Sequence, residues 1–179
     1  MTALGAHNVE RFLAATGDGL SSMWRLELLH PMSVHFPIVL TLVGALFWFL
    51  GAAGGRWSRL QAFQPTSVVL LVLAALSAWW AVKTGLWADE IVGRELFDPR
   101  PLKDHENGAF TLAWLLTGGV ALDLARRASR APSWVRRWGG WVVPVVLLAA
   151  CGLVGYVAHL GAGLVFQQGA GVVLPGSIN

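Results

Sequence analysis

The residues best suited to chemistry in this chain are histidines that adjoin long apolar stretches. His30 and His35 stand close together in LHPMSVHFPIVLTLVGALFWFL (residues 29–50), next to prolines at positions 31 and 37. His105 and His159 adjoin later apolar stretches, and His7 stands apart near the N-terminus. An ionisable side chain inside lipid is costly and marks a functional site by default. Because neutral imidazole binds iron, copper and zinc, these histidines predict a cofactor or metal site.

The cysteine content narrows the kinds of cofactor. The chain has a single cysteine, Cys151, which lies inside an apolar stretch. One cysteine excludes a CxxCH haem attachment, a zinc site built from cysteines and an iron–sulfur cluster. The sequence shows no nucleophile–base pair and no phosphate-binding loop, so we expect no substrate-turnover site in this chain.

The composition indicates a membrane protein. Hydrophobic residues make up 55% of the 179 residues and charged residues 13%, against roughly 25% charged residues in soluble domains. Ten tryptophans are typical of the aromatic belts at membrane interfaces. The basic balance of charge lies in short loops between apolar stretches, so membrane topology explains it better than nucleic-acid binding does.

The apolar stretches that must position the histidines predict four membrane-spanning helices, since a span needs about 20 apolar residues. We predict spans at residues 32–53, 67–88, 109–124 and 141–166, with 103–108 as a polar first turn of the third span and Pro144 in the first turn of the fourth. Thr66 is a candidate N-cap of the second span. No internal repeat is convincing, and the fold class is therefore an all-α, integral membrane four-helix bundle in one domain.

The charge distribution predicts the orientation of the bundle. The loop after the first span carries Arg56 and Arg59, and the loop after the third carries Arg126, Arg127, Arg130, Arg136 and Arg137, with no acid in either loop. The positive-inside rule places both loops in the cytoplasm of a bacterial inner membrane. Residues 1–30 are then a periplasmic segment with an interfacial helix around residues 9–15, residues 31–166 form the bundle, and residues 167–179 are a periplasmic tail.

This topology brings His30, His35, His105 and His159 to the outer leaflet. Judged from the rise of a helix, His35 and His159 lie deepest, one to two turns inside the ends of their spans. They are our favoured axial pair for a haem b. His105 is the substitute ligand, and His30 with His105 could hold a second haem. Lys83, in the second span, could pair with a haem propionate.

The two prolines shape the start of the first span, and the candidate site residues also have simpler structural explanations. Pro31 suits the first helical position with His30 as a cap, whereas Pro37 loosens the helix around His35 or marks the start of the regular helix. Each histidine could instead be an interfacial residue or a hydrogen bonder between helices. The glycines of the fourth span could serve only helix packing, and Lys83 could extend to the interface.

Several motifs resemble the bacterial domain-of-unknown-function family 2231. They are HPMSVHFP at residues 30–37, Thr84-Gly85 in the second span, His105 at the third, and GYVAHLGAGLVFQQGAGV at residues 155–172. The resemblance covers roughly residues 29–172 and implies a four-span module with a haem-binding role beside respiratory components. Ala162 replaces a family glycine. Gln167 and Gln168 stand where some members have a histidine, which weakens any scheme that needs more than four histidines.

These observations predict a b-type cytochrome that acts as the electron-transfer and anchoring subunit of a respiratory or photosynthetic complex. Electrons would pass between a periplasmic cytochrome c or dehydrogenase and the quinone pool or another cofactor, and other subunits would complete the complex. One alternative is a copper or zinc site at the periplasmic face, built from His30 and His105 with Asp104 or Glu106. Another is a scaffold or assembly subunit without a cofactor.

Overall fold

The structure is a computed structural model that describes residues 25–54 and 58–172. A short 3-10 turn (Leu26–Leu28) leads into six α-helices, and a second 3-10 turn (Gly93–Glu95) follows the fourth of them. The helices are α1 (Leu29–Ser33), α2 (His35–Ala53), α3 (Ser58–Gln61), α4 (Phe63–Val92), α5 (Arg100–Arg127) and α6 (Ser133–Gln168). The predicted interfacial helix around residues 9–15 and the tail beyond residue 172 lie outside the described residues.

Four helical stretches are long and apolar enough to cross a membrane, and they confirm the predicted multi-pass, all-α fold. The first span comprises α1 and α2, and the second, third and fourth spans are α4, α5 and α6. All four extend beyond their apolar cores; the 36 residues of α6 correspond to about 54 Å, well over the thickness of a bilayer core. The prediction for Pro144 was therefore wrong: it lies inside α6, because the helix already begins at Ser133.

The start of the first span shows how the two prolines act. The helix is interrupted at Val34, between α1 and α2. Pro37 has no N–H to donate to the carbonyl of Ser33, so the hydrogen-bond ladder lacks a bond at this turn. Val34 nevertheless keeps a helical backbone conformation, and the first span continues through the interruption. His30 lies within α1 and is not its cap, because the preceding 3-10 turn starts the helical chain earlier.

The second span likewise begins earlier than predicted. Its helix starts at Phe63, so Thr66 lies in the first turn and is not the N-cap. The bundle core then forms from small and branched side chains of all the spans. The central cluster includes Ala74, Ala78, Leu112, Leu116, Ala150 and Val154, and a second cluster around Leu71, Trp48 and Leu147 lies toward the arginine-rich end. Small residues allow the helix backbones to approach closely, as is usual in membrane bundles.

The buried positions reveal an internal repeat that inspection of the sequence missed. Buried residues of the first span recur 75 positions later in the third span, and buried residues of the second span recur 76 positions later in the fourth. The corresponding pairs are Thr41 and Leu116, Gly44 and Gly119, Ser67 and Val143, Leu71 and Leu147, Ala74 and Ala150, Ala78 and Val154, and Ala81 and Val157. The bundle therefore consists of two equivalent helical hairpins, spans one and two and spans three and four.

Corresponding residues of the two hairpins touch each other at both ends of the bundle. His30 meets His105 at one end, and Trp48 donates a hydrogen bond to Asp123 at the other. A residue that contacts its own equivalent lies close to a two-fold axis, so the hairpins are related by an approximate two-fold axis running along the bundle. Repeats that share one orientation in a membrane have this relationship, with the axis along the membrane normal.

Candidate functional site

His30 is fixed by contacts with the second span. Its Nδ1 lies 3.0 Å from the backbone carbonyl of Ala81. A carbonyl can only accept, so Nδ1 carries the hydrogen and, in the neutral imidazole, Nε2 keeps a free lone pair. The hydroxyl of Ser33 lies 2.9 Å from the His30 carbonyl and 2.8 Å from the hydroxyl of Thr84, which itself donates to Ala81. The ring of His30 is therefore held in one tautomer.

His105 is fixed in the same way by the fourth span. Its Nδ1 lies 3.0 Å from the carbonyl of Val157, the residue that corresponds to Ala81 in the repeat. The two imidazoles thus hold equivalent bonds in the two hairpins, and neither Nε2 forms a hydrogen bond with residues 25–54 or 58–172. An Nδ1–H bond to a carbonyl is the arrangement by which proteins orient a metal-ligating histidine.

The two imidazoles lie against each other near the two-fold axis. Their ring centroids are 5.8 Å apart, and the ring planes are nearly perpendicular, at 85°. Both side chains are only partly exposed. The structure therefore brings together the pair that the sequence had suggested for a second haem.

A glycine faces each imidazole from the neighbouring helix. A Cβ atom at Gly85 would lie 3.0 Å from Cε1 of His30, and a Cβ at Gly161 would lie 3.0 Å from Cε1 of His105. These glycines are also equivalent in the repeat, and each follows by four residues the carbonyl that its histidine binds. By contrast, a Cβ at Gly152 or Gly155 would meet open space. The glycines at 85 and 161 thus leave room for the rings.

The histidine pair lies in a cavity of about 740 Å³ at one end of the bundle. All four spans contribute to its walls, which are mainly apolar; the lining includes Ile38, Val82, Leu86, Leu112, Val154 and Leu164. The volume is within the usual range for sites of small molecules and cofactors, roughly 300–1,000 Å³. The cavity has a mainly apolar wall and a few polar groups held in fixed positions, as ligand sites usually do.

The outer part of the cavity wall carries carboxylates. Glu27, Asp89 and Glu106 line it. The guanidinium of Arg25 lies 2.5 Å from Glu27. The ammonium of Lys103 lies 2.6 Å from Glu106 and 3.8 Å from Asp89. Glu27 and Val172 both line the cavity, so the two ends of the described chain lie beside it.

The other predicted ligands take different positions. His35 is exposed but lines the cavity, whereas His159 is exposed and belongs to the surface of α6 outside the cavity lining. Lys83 is the residue that corresponds to His159 in the repeat, and it is also exposed, with its ammonium 5.2 Å from the ring centroid of Trp87. The structure therefore does not unite His35 with His159, and Lys83 lies on the outer surface of the second span.

The predicted copper or zinc site requires Asp104 or Glu106 to join the pair of His30 and His105. Asp104 is exposed, and Glu106 is bound to Lys103. Within residues 25–54 and 58–172, no three His, Cys, Asp or Glu side chains come together as a possible metal site. In the described part of the chain, no carboxylate therefore joins the two imidazoles to form a cluster of three possible metal ligands.

A polar network at the opposite end of the bundle was not anticipated. The Asp123 side chain is only 3% exposed, and its carboxylate accepts hydrogen bonds from Trp48 at 3.1 Å and from Arg126 and Arg127 at 2.7 Å each. Gln64 accepts a further bond from Arg127 and donates one to the Trp48 carbonyl. Asp123 followed by arginines at the third and fourth positions is a helical ion-pair pattern that could have indicated it.

The chain matches a known protein family over most of its length. Residues 27–174 match the family described as predicted membrane protein, DUF2231. The chain belongs to this family. Comparisons with curated proteins and with solved structures give no match.

The match to DUF2231 covers nearly all of the described bundle, from Glu27 in the first 3-10 turn to beyond the end of α6. The motif HPMSVHFP that carried the resemblance forms α1 and the first turn of α2, and its two histidines both line the cavity. The stretch AHLGAG of the fourth span supplies Ala158, Gly161 and Ala162 to the same lining. In this DUF2231 chain the motif residues therefore converge on one cavity.

Proposed function

We propose that this protein is a membrane b-type cytochrome whose haem is held by His30 and His105. In this role it would act as the electron-transfer and anchoring subunit of a larger redox complex. The observation that carries the proposal is the pair of equivalent imidazoles, each bound through Nδ1 to a backbone carbonyl, side by side in an apolar cavity.

The residues present fit a haem. Neutral imidazole is a haem iron ligand, and a bundle core can hold a cofactor between facing helices. The two Nδ1–H bonds leave two Nε2 lone pairs available in one cavity, from different hairpins. The mainly apolar wall suits the flat hydrophobic face of a macrocycle, and Gly85 and Gly161 leave the space that the rings require.

A bound haem would supply one-electron chemistry, and the chain's own residues would set its environment. The carbonyls of Ala81 and Val157 orient the imidazoles and increase the basicity of Nε2. The mainly apolar wall surrounds the imidazoles with hydrocarbon side chains. Arg25 and Lys103 bind carboxylates that line the outer part of the cavity, and these two cations could also meet propionate groups.

The proposed pair replaces His35 and His159 as the favoured axial ligands. Depth along the helix had favoured those two residues, but rotation about the helix axis decides which side chains face inward. The position of His159 corresponds to that of Lys83, and both are exposed basic residues on the surface of the bundle. We therefore assign His159 a surface role, and His35 a role at the edge of the cavity.

The proposed orientation places the histidine end at the periplasmic face of the bacterial inner membrane. It rests on the arginines at the opposite end of the bundle, under the positive-inside rule. The stretch of residues 89–106 comprises the end of α4, the connection and the start of α5, and it carries six acids against three basic residues. The acids are Asp89, Glu90, Glu95, Asp98, Asp104 and Glu106. An acidic surface beside the cavity would attract a basic periplasmic partner, such as a cytochrome c or a dehydrogenase subunit.

The test is the absorption of the purified protein. We expect a Soret band, α and β bands on reduction, and a pyridine haemochrome spectrum typical of haem b. Protein purified from haem-replete cells with no Soret band, in either redox state, would rule out the proposal. A spectrum with metal content but no porphyrin would favour the copper or zinc alternative.

The second candidate, a scaffold without a cofactor, is favoured by one observation. Each imidazole bond joins the two spans of a hairpin, from His30 to Ala81 and from His105 to Val157. These bonds could serve only to hold the helices together. In that case replacing either histidine would lower the stability of a protein that carries no chromophore.

A further inference from the structure

Among the described residues, the exposed part of the cavity lining within the spans lies on one side of the bundle. These exposed lining residues all belong to the first and fourth spans; they are Pro31, His35, Ala158, Ala162, Val165 and Phe166. The lining residues contributed by the second and third spans are buried or half-buried, as Val82, Leu86 and Phe110 illustrate. The gap between the first and fourth spans therefore forms a lateral portal.

The repeat explains why the portal lies on this side. A two-fold axis would make the seam between the second and third spans equivalent to the seam between the first and fourth. The closed seam holds Trp79, Leu86 and Phe110, and the ring centroids of Trp79 and Phe110 lie 6.3 Å apart.

The corresponding residues of the open seam are Gly155, Ala162 and His35. Two of them are small, and the third is polar. The second and third spans also pack against each other more extensively than the first and fourth do. The loss of side-chain volume at one seam thus opens the cavity toward the surface that the bundle presents to lipid.

We propose that this portal admits the head group of a membrane-dissolved quinone or quinol, with His35 as its hydrogen-bonding partner. The inference deepens the proposed function and rests on it, because it names the lipid-side partner of the site. The first and fourth spans, which form the portal, are long and apolar enough to cross a membrane, and we therefore place the portal against lipid and expect its ligand to come from the bilayer. His35 is the polar side chain among the exposed portal residues, and its imidazole can both donate and accept a hydrogen bond.

The chemistry of the portal favours a quinone over other lipids. An acyl chain offers no hydrogen-bonding group and would leave the imidazole of His35 without a partner. A phospholipid phosphate would find no lysine or arginine among the exposed portal residues, which are Pro31, His35, Ala158, Ala162, Val165 and Phe166. A quinone head group is a flat apolar ring with two oxygen acceptors, and its isoprenoid tail can remain in the bilayer.

Photolabelling with an azido-ubiquinone in native membranes tests this inference. We expect labelled peptides from the first and fourth spans, and competition by excess decylubiquinone. Ala162→Phe fills the portal and should reduce competable labelling by at least about tenfold, the effect of losing a ligand contact of about 1.4 kcal/mol or more. His35→Ala adds no bulk and should weaken labelling without blocking the portal. Ala149→Phe makes the same substitution at an exposed position of α6 outside the cavity lining, and it should label like the wild type.

Three results would overturn the portal inference: labelling that decylubiquinone does not displace, labelling unchanged in both Ala162→Phe and His35→Ala, or equal displacement by a polyprenol that lacks the quinone ring. Haem content, measured by pyridine haemochrome on the same preparations, separates this inference from the proposed function. Competable labelling of a haem-free protein would refute the cytochrome while keeping the portal. A protein that contains haem but shows no competable labelling would refute the portal and keep the cytochrome.

Discussion

The imidazoles of His30 and His105 lie with their centroids 5.8 Å apart, although 75 positions separate them in the chain. They belong to different hairpins, bind equivalent carbonyls and face equivalent glycines. A single relationship, the approximate two-fold repeat, therefore accounts for the position of both rings. It also means that a ligand between them meets two similar half-sites.

The glycines that face the rings give the first prediction. Gly85→Ala and Gly161→Ala each place a Cβ 3.0 Å from an imidazole carbon, so the ring must move by a few tenths of an ångström. In both variants we expect an altered reduced spectrum and a lower haem content. The affinity for haem should fall about tenfold, because the contact that orients the imidazole is disturbed. Gly152→Ala is the matched control, because its Cβ meets open space. Spectra identical to the wild type in both test variants would refute a role of these glycines in ring orientation.

The buried carboxylate at the opposite end gives the second prediction. Asp123→Ala removes the carboxylate that Arg126 and Arg127 bind and the acceptor of the Trp48 indole. Because hydrogen bonds to a charged group contribute about 1.5–3 kcal/mol, we expect a loss of unfolding free energy of that order, measured by reversible denaturation in detergent micelles. Asp104→Ala, at an exposed position, should change stability little. Equal stabilities of the two variants would contradict the structural role of the network.

A buried hydroxyl gives the third prediction. Thr41 is fully buried, and its hydroxyl has no hydrogen-bond partner among the described residues. Thr41→Val keeps the shape and removes the unsatisfied group, so the unfolding free energy should rise by about 1 kcal/mol. Ser67→Ala is the opposite case, because that buried hydroxyl donates to the Gln64 carbonyl at 2.8 Å, and it should destabilise. Destabilisation by Thr41→Val would show that the hydroxyl has a partner, such as a buried water.

The proposed orientation gives the fourth prediction. In a Cys151→Ser background, Asp104→Cys places a thiol at the histidine end and Arg130→Cys places one at the arginine-rich end. Both positions are exposed. A membrane-impermeant maleimide applied to spheroplasts should label Asp104→Cys alone, and permeabilisation should make Arg130→Cys reactive. The reverse pattern would place the cavity on the cytoplasmic side and would exclude a periplasmic partner.

Most of the fold could be predicted because it depends on average properties of long segments. Four apolar stretches specify four spans whatever their neighbours are. The helix ends were harder to predict, since polar turns beyond the apolar core extend α5 and α6 without any hydropathy signal. The repeat was missed for a related reason. The hairpins share a pattern of buried positions and a few residues such as the histidine and glycine pairs, and most paired positions differ in identity, as Thr41 and Leu116 do.

The site could be predicted only in part. The sequence indicated that four histidines lie toward one end of the bundle, and two of them form the pair found at its axis. Depth along a helix favoured His35 and His159, but it carries no information on which side of the helix faces inward. That choice depends on helix rotation, which is set by the packing of small residues such as Gly85 and Gly161 against neighbouring rings.

The haem content of four purified proteins, measured by pyridine haemochrome at equal protein concentration, decides whether His30 and His105 hold a haem. We expect haem b in the wild type and in His159→Ala, and at least about a tenfold loss of haem in His30→Ala and in His105→Ala, since each of these two variants removes an iron ligand. Wild-type protein without haem, or haem lost in His159→Ala and retained in both of the other variants, would contradict this expectation.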